Sequence, residues 1–157
     1  MSLSENNFLT CHSQKGALKN GLINSSKMMF EAKKISAAFD IRLPYENPIA
    51  SSLSGGNLQK FVVGREIQKN PKVLIVAQPT WGLDVGAAMF IRSAIIKLAQ
   101  RGSAVIIISQ DLEEIFLMSQ RVSVIYSGTL SKAVETNNVT ADEIGRLMAG
   151  INVEIKN

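Results

Sequence analysis

The sequence holds one cysteine, Cys11, so it can form no internal disulfide, a pattern that suits a reducing compartment. It holds one histidine, His12, beside that cysteine, and two adjacent donors are too few for a metal site. Apolar runs such as Val73–Ala77 and Val105–Ile108 fall far short of a membrane span, so any membrane role is expected to be peripheral. No signal-peptide pattern opens the chain. Nowhere does it carry G-x-x-x-x-G-K-[ST], the glycine-rich loop that would cradle a nucleotide's phosphates. Met1-Ser2-Leu3 reads as an added remnant outside the fold.

What is present describes one ordered, domain-sized unit: 157 residues, 46% hydrophobic and 19% charged. The net charge of +4 is unevenly placed. Residues 1–70 hold 9 Lys/Arg against 5 Asp/Glu, and residues 71–157 hold 8 against 8. A basic half can face nucleic acid, anionic lipid or nucleotide phosphate, or simply be a solvated helical surface.

Residues 1–24 are polar and weakly specified. Asn24-Ser25-Ser26 offers cap side chains to a helix with an apolar stripe at Met28, Ala32, Ile35 and Phe39. Met28-Met29-Phe30 reads as helix packing, and Arg65 and Lys69 as solvated or paired. Pro44 and Pro48 mark a loop over Leu43–Ser52. Ser54 caps a helix from Gly55 to Gln68, ended by Asn70-Pro71. Val73–Ala77 predicts a strand buried on both faces. A helix from Val85 to Arg101 follows, striped at Ala88, Ile91, Ile95 and Leu98, with Gly102 beyond its end. Ala104–Ile108 predicts a second buried strand, and Asp111 with Glu114 caps a helix to about Ser119. Val122–Tyr126 alternates, turns at Ser127-Gly128 and pairs with Thr129–Ala133. Thr140 with Glu143 forms a capping box for a last helix ending at Gly150. From residue 72 onward this is the strand–helix–strand order of a parallel sheet.

The chemistry concentrates in two short stretches. In Ser52-Leu53-Ser54-Gly55-Gly56-Asn57-Leu58-Gln59-Lys60 a loop becomes a helix. Helix N-termini present free N–H groups and partial positive charge, two glycines allow close backbone approach, and Ser54 adds a hydroxyl. Alone, Ser-Gly-Gly is more often a flexible turn. Here a buried strand follows, then Gln78-Pro79-Thr80-Trp81-Gly82-Leu83-Asp84, then a second strand ending in Ser109-Gln110-Asp111. In this order and spacing the motifs resemble those of the ATP-binding cassette (ABC) ATPases: signature loop, strand-end E-P-T segment, D-loop and switch loop. The wording is similar to the second cassette of fused, two-cassette ATPases of bacterial importers, in the branch serving nucleoside or simple-sugar uptake. The resemblance runs from about Leu22 to Gly150.

The resemblance implies a partial P-loop ABC fold of α/β class. Residues 1–70 would form the helical signature subdomain, and residues 71–157 the C-terminal part of the nucleotide-binding core. Ser54, Gly55, Gly56 and Asn57 would contact ATP held by another cassette, with Gly82, Leu83 and Asp84 as an intact D-loop. The chain departs from the family at three positions. Ala77 replaces the aspartate that positions Mg²⁺, Gln78 the carboxylate that activates water, and Gln110 the histidine that reaches the γ-phosphate. A methyl accepts no hydrogen bond and an amide takes up no proton near neutral pH, so no competent catalytic set and no metal site is expected here.

The resemblance implies ATP and Mg²⁺ in the full-length assembly, with none bound by this piece alone, which would be inactive by itself. Implied partners are an N-terminal cassette of the same polypeptide, the transmembrane permease subunits and, indirectly, a solute-binding protein, at the cytoplasmic face of the cell membrane. Nucleic acid is not expected. An alternative reading is a soluble ABC ATPase acting on nucleic acid or ribosomes, which the basic first half would suit. A sheet lacking its first strands would leave apolar surface uncovered, so the isolated piece is expected to self-associate. Trp81, in a loop position often held by arginine, either stacks at a cassette interface or covers the strand end.

Overall fold

A computed structural model describes residues 1–12 and 16–151, which fall into two compact units divided after Ile106. In the first unit, α1 (Leu3–Cys11) is followed by a small hairpin of β1 (Leu18–Lys19) and β2 (Leu22–Ile23). Helices α2 (Ser25–Ala38) and α3 (Gly55–Ile67), strand β3 (Val73–Ala77) and helix α4 (Val85–Gln100) come next. Strand β4 (Ala104–Ile108), within which the division falls, pairs with β3.

Helix α1 corrects the reading of the first residues. Ser2 and Glu5 close a capping box, and Leu3 is 1% exposed. The Leu3 amide donates to the Pro48 carbonyl at 3.0 Å, the Ala50 amide to the Met1 carbonyl at 3.0 Å, and the Ser4 amide to Asn47 Oδ1 at 3.0 Å. The first residues are therefore an integral edge of the unit. The Ser-x-x-Glu spacing carried that information.

The core gathers Leu3, Ala32, Ile35, Phe39, Ile41 and Phe61, with Phe90 packed against it. Phe39 and Phe90 meet edge to face at 5.8 Å. In α3, Gly64 leaves room for Phe39: a Cβ there would lie 2.7 Å from the ring's Cδ2. Asn24 caps α2, as expected, and the stripe at Met28, Ala32, Ile35 and Phe39 is buried. Met28 packs, but Met29 and Phe30 are exposed, because neighbouring helix positions point to different faces. In α4 the buried stripe begins at Ala87, one residue before the expected Ala88. Gly102 takes φ +98° just past that helix.

The strands differ from the expectation in their surroundings. Leu74 is buried, but Val73 is 57% and Ile75 62% exposed, and in β4 Ile106 and Ile108 are also exposed. Each strand alternates instead of being buried on both faces, because among the described residues apolar cover reaches one face only.

The second unit holds α5 (Leu112–Met118), β5 (Arg121–Val122), β6 (Ile125–Tyr126), β7 (Thr129–Leu130), β8 (Val134–Glu135) and α6 (Ala141–Met148). Its core is Ile115, Val122, Val124, Val139 and Ile144. The single strand expected over 122–126 is broken. Val122 pairs antiparallel with Val134, whereas Ile125 and Tyr126 pair with Leu130 and Thr129. Between them the Val124 amide donates to Ser131 Oγ at 2.9 Å and Ser123 Oγ donates to the Ser131 carbonyl, so side-chain bonds interrupt the ladder. Ser127 and Gly128, at φ +44° and +77°, form the expected turn. Thr140 and Glu143 close the expected capping box on α6.

Candidate functional site: the Ser54 loop

Ser54 is the N-cap of α3, held extended at φ −63° and ψ 154°. Its Oγ accepts from the Asn57 side-chain amide at 3.1 Å and, at the long limit of 3.5 Å, from the Asn57 backbone amide. Asn57 Oδ1 accepts in turn from the Arg42 backbone amide at 3.2 Å. Ser54 and Gly55 are exposed, and a Cβ built on Gly55 would meet nothing within 4 Å. The hydroxyl and the first free amides of α3 thus face outward.

Gly56 joins this loop to the second expected stretch. A Cβ there would stand 3.7 Å from Ala87 Cβ and 3.9 Å from both Asp84 Oδ2 and Leu83 Cδ2. Asp84 caps α4, its Oδ1 accepting from the Ala87 amide at 2.9 Å. About one turn of α3 further on the same side, Gln59 Nε2 donates to the Pro79 carbonyl at 3.0 Å. The structure therefore brings Ser54, Gly55, Gly56 and Asn57 together with Leu83 and Asp84. Gly82, at φ +69°, supplies the left-handed turn before them.

Two groups along the sequence were not foreseen at this site. The Arg42 amide comes from the loop after α2, and no sequence pattern announces it. The cap role of Asp84 was legible: an aspartate directly before an apolar helical stripe is an N-cap signature. Lys60 points elsewhere, donating to the Asp40 carbonyl at 3.2 Å and lying 5.1 Å over the Phe90 ring.

The end of β3 is chemically different. Ala77 is exposed and presents only a methyl group. Gln78 is half-buried, in the left-handed region at φ +49°, and its carbonyl accepts from the Trp81 amide at 3.2 Å. Trp81 is 78% exposed, which removes the option that it covers the strand end. Among the described residues no group of three or more His, Cys, Asp or Glu could hold a metal ion. Gln110 belongs to the second unit and is exposed there, followed by Asp111, which caps α5 through the Glu114 amide at 3.2 Å.

Cys11 and His12 are accounted for locally. The buried Cys11 thiol donates to Asn7 Oδ1 at 3.4 Å, and exposed His12 lies 3.2 Å from the Leu9 carbonyl through Nδ1. Arg65 and Lys69 are paired with Glu66. Burial pushes the Glu66 carboxyl up, but Lys69 and Arg65 outweigh it and hold the group below its ordinary value.

No protein-family model matches the chain. It is 40% identical over 148 residues to the guanosine import ATP-binding protein of Bacillus subtilis, covering 94% of this chain and 29% of that protein. It is 40% identical over 153 residues to the nucleoside import ATP-binding protein of Lactococcus lactis, covering 98% and 30%. The galactose/methyl galactoside import ATP-binding protein of Escherichia coli is 36% identical over 129 residues, covering 82% and 26%. The chain thus spans under a third of the length of these relatives. Among solved structures, an ATP-binding cassette in a dimeric post-hydrolysis state with ADP and Pi superposes with a TM-score of 0.70 at 20% identity, covering 87% of this chain and 57% of that one. At that identity the likeness concerns the fold alone, which is that of part of an ABC cassette.

Proposed function

Because this chain belongs to the ABC ATP-binding proteins, we propose that it is the part of an importer's ATP-binding subunit that completes a nucleotide site in a partner cassette while its own site is degenerate. Residues 1–70 serve as the helical signature subdomain, and residues 71–157 as the C-terminal part of the core. The solute class, by the relatives' names, is nucleosides or simple sugars.

The carrying observation is the contrast between two stretches of one unit. Ser54 and Gly55 present an exposed hydroxyl and free helix-start amides, the chemistry that receives phosphate oxygens. At the end of β3, Ala77 and Gln78 offer neither a carboxylate for hydrated Mg²⁺ nor a base for water, and general-base help alone is worth roughly 10²–10⁴-fold. Leu83 and Asp84, packed against Gly56, link the loop to the segment expected at the cassette boundary. Exposed Trp81 suits a position at that boundary.

In this reading ATP and Mg²⁺ belong to the complete assembly, bound mainly by an N-terminal cassette of the same polypeptide. Permease subunits receive the resulting movement, and a solute-binding protein delivers the solute. No helix among the described residues is long and apolar enough to cross a membrane, and the proposed position is peripheral, on the cytoplasmic face. Equilibrium binding of Mg-ATP to the 157-residue chain tests the degenerate site. Little or no affinity is expected, and low-micromolar binding contradicts the reading.

A further inference from the structure

Asn57 makes a closed set of bonds whose direction is fixed by chemistry. The Arg42 backbone N–H can only donate, so the Asn57 side-chain oxygen must face it, as it does at 3.2 Å. That leaves the amide nitrogen toward Ser54, where it donates to Oγ at 3.1 Å. The Asn57 backbone amide approaches the same oxygen at 3.5 Å. With its lone pairs engaged from the protein side, the Ser54 hydroxyl keeps its hydrogen for something outside.

We propose that Asn57, locked by the Arg42 amide, is a positioning residue that holds the Ser54 hydroxyl as an outward-pointing donor, selecting an anionic oxygen over a neutral or donating group. This rests on the reading of Ser54 as a phosphate contact and adds to it a reason for the side chain three residues on. It also gives the loop after α2 a direct hold on the serine: displacement of residue 42 releases Asn57 and frees the hydroxyl to turn inward.

Asn57→Asp is the discriminating variant, because it keeps size and shape. One carboxylate oxygen still accepts from Arg42, while the other accepts from Ser54 and draws the hydroxyl hydrogen inward. In the complete ATP-binding protein, ATP turnover should fall on the order of tenfold or more, the loss expected when a hydrogen bond to a charged group is removed. Hydrogen–deuterium exchange of the Arg42 amide should stay slow in Asn57→Asp and become fast in Asn57→Ala. In a Ser54→Ala background, Asn57→Asp should cause no further loss, the non-additivity of two groups acting through one bond.

Wild-type turnover in Asn57→Asp overturns the proposal. So does an undiminished loss in the Ser54→Ala background, which would assign the effect to charge or folding. Full turnover in Ser54→Ala alone overturns the phosphate-contact reading itself, and the proposal with it.

Discussion

Gln59 Nε2 donates to the backbone carbonyl of Pro79 at 3.0 Å, tying the second turn of α3 to the segment that leaves β3. Through it, the helix that starts at Ser54 and the loop that ends at Asp84 keep one spacing. Gln59→Ala should lower the stability of the chain by about 1 kcal/mol, the usual net worth of such a bond. Denaturant unfolding checks this. An unchanged midpoint would mean that the Gly56 packing alone holds the two stretches together.

Gly64 stands where the Phe39 ring needs space, with a Cβ position 2.7 Å from Cδ2. Gly64→Ala improves helix propensity but overpacks the core. The steric term should win, with a net loss of about 1–3 kcal/mol in thermal or denaturant unfolding. A stabilised variant would show that the ring moves freely.

Leu3 is 1% exposed and belongs to the main core cluster. Leu3→Ala should cost about 2–5 kcal/mol, the range for a buried leucine. A negligible change in unfolding would return the first residues to the status of a tail.

The capping box of α6 gives a pH prediction. Thr140 donates to Glu143 Oε2 from its backbone N at 2.7 Å and from Oγ1 at 2.8 Å. These bonds, the backbone one first, hold the Glu143 carboxyl below its ordinary value of 4.5. A folded value below the unfolded one means the contribution is complete above the ordinary range and is lost as pH falls through the lowered folded value. The Thr140 amide resonance should therefore titrate with a midpoint below 4.5 and lose that titration in Glu143→Gln. A midpoint at or above 4.5 would mean the box is not formed.

Local signals in the sequence carried most of the helices. Asn24, Ser54, Asp111 and Thr140 each cap the helix that they were expected to cap. The stripe at Ile91, Ile95 and Leu98 is the buried face of α4. The strand expectation over 122–126 failed because hydrogen bonds between Ser123, Val124 and Ser131 are invisible to a hydropathy pattern. Burial of β3 and β4 on both faces failed because a run of apolar residues says what needs cover, not what supplies it. At the loop, the residue types at Ser54, Gly55, Gly56 and Asn57 could be read directly. The Arg42 amide could not, since a backbone group recruited from another loop leaves no mark in sequence.

The central claim is that Ser54 serves a nucleotide held elsewhere, while the residues at the end of β3 serve none. ATP turnover by the complete ATP-binding protein carrying Ser54→Arg tests it most directly, with Gln78→Ala measured beside it. The Arg substitution removes a helix cap worth about 0.5–2 kcal/mol, so thermal unfolding should be followed in parallel. With the protein still folded, Ser54→Arg should abolish turnover and Gln78→Ala should leave it near wild type. Full turnover in Ser54→Arg, or its loss in Gln78→Ala, would contradict the account.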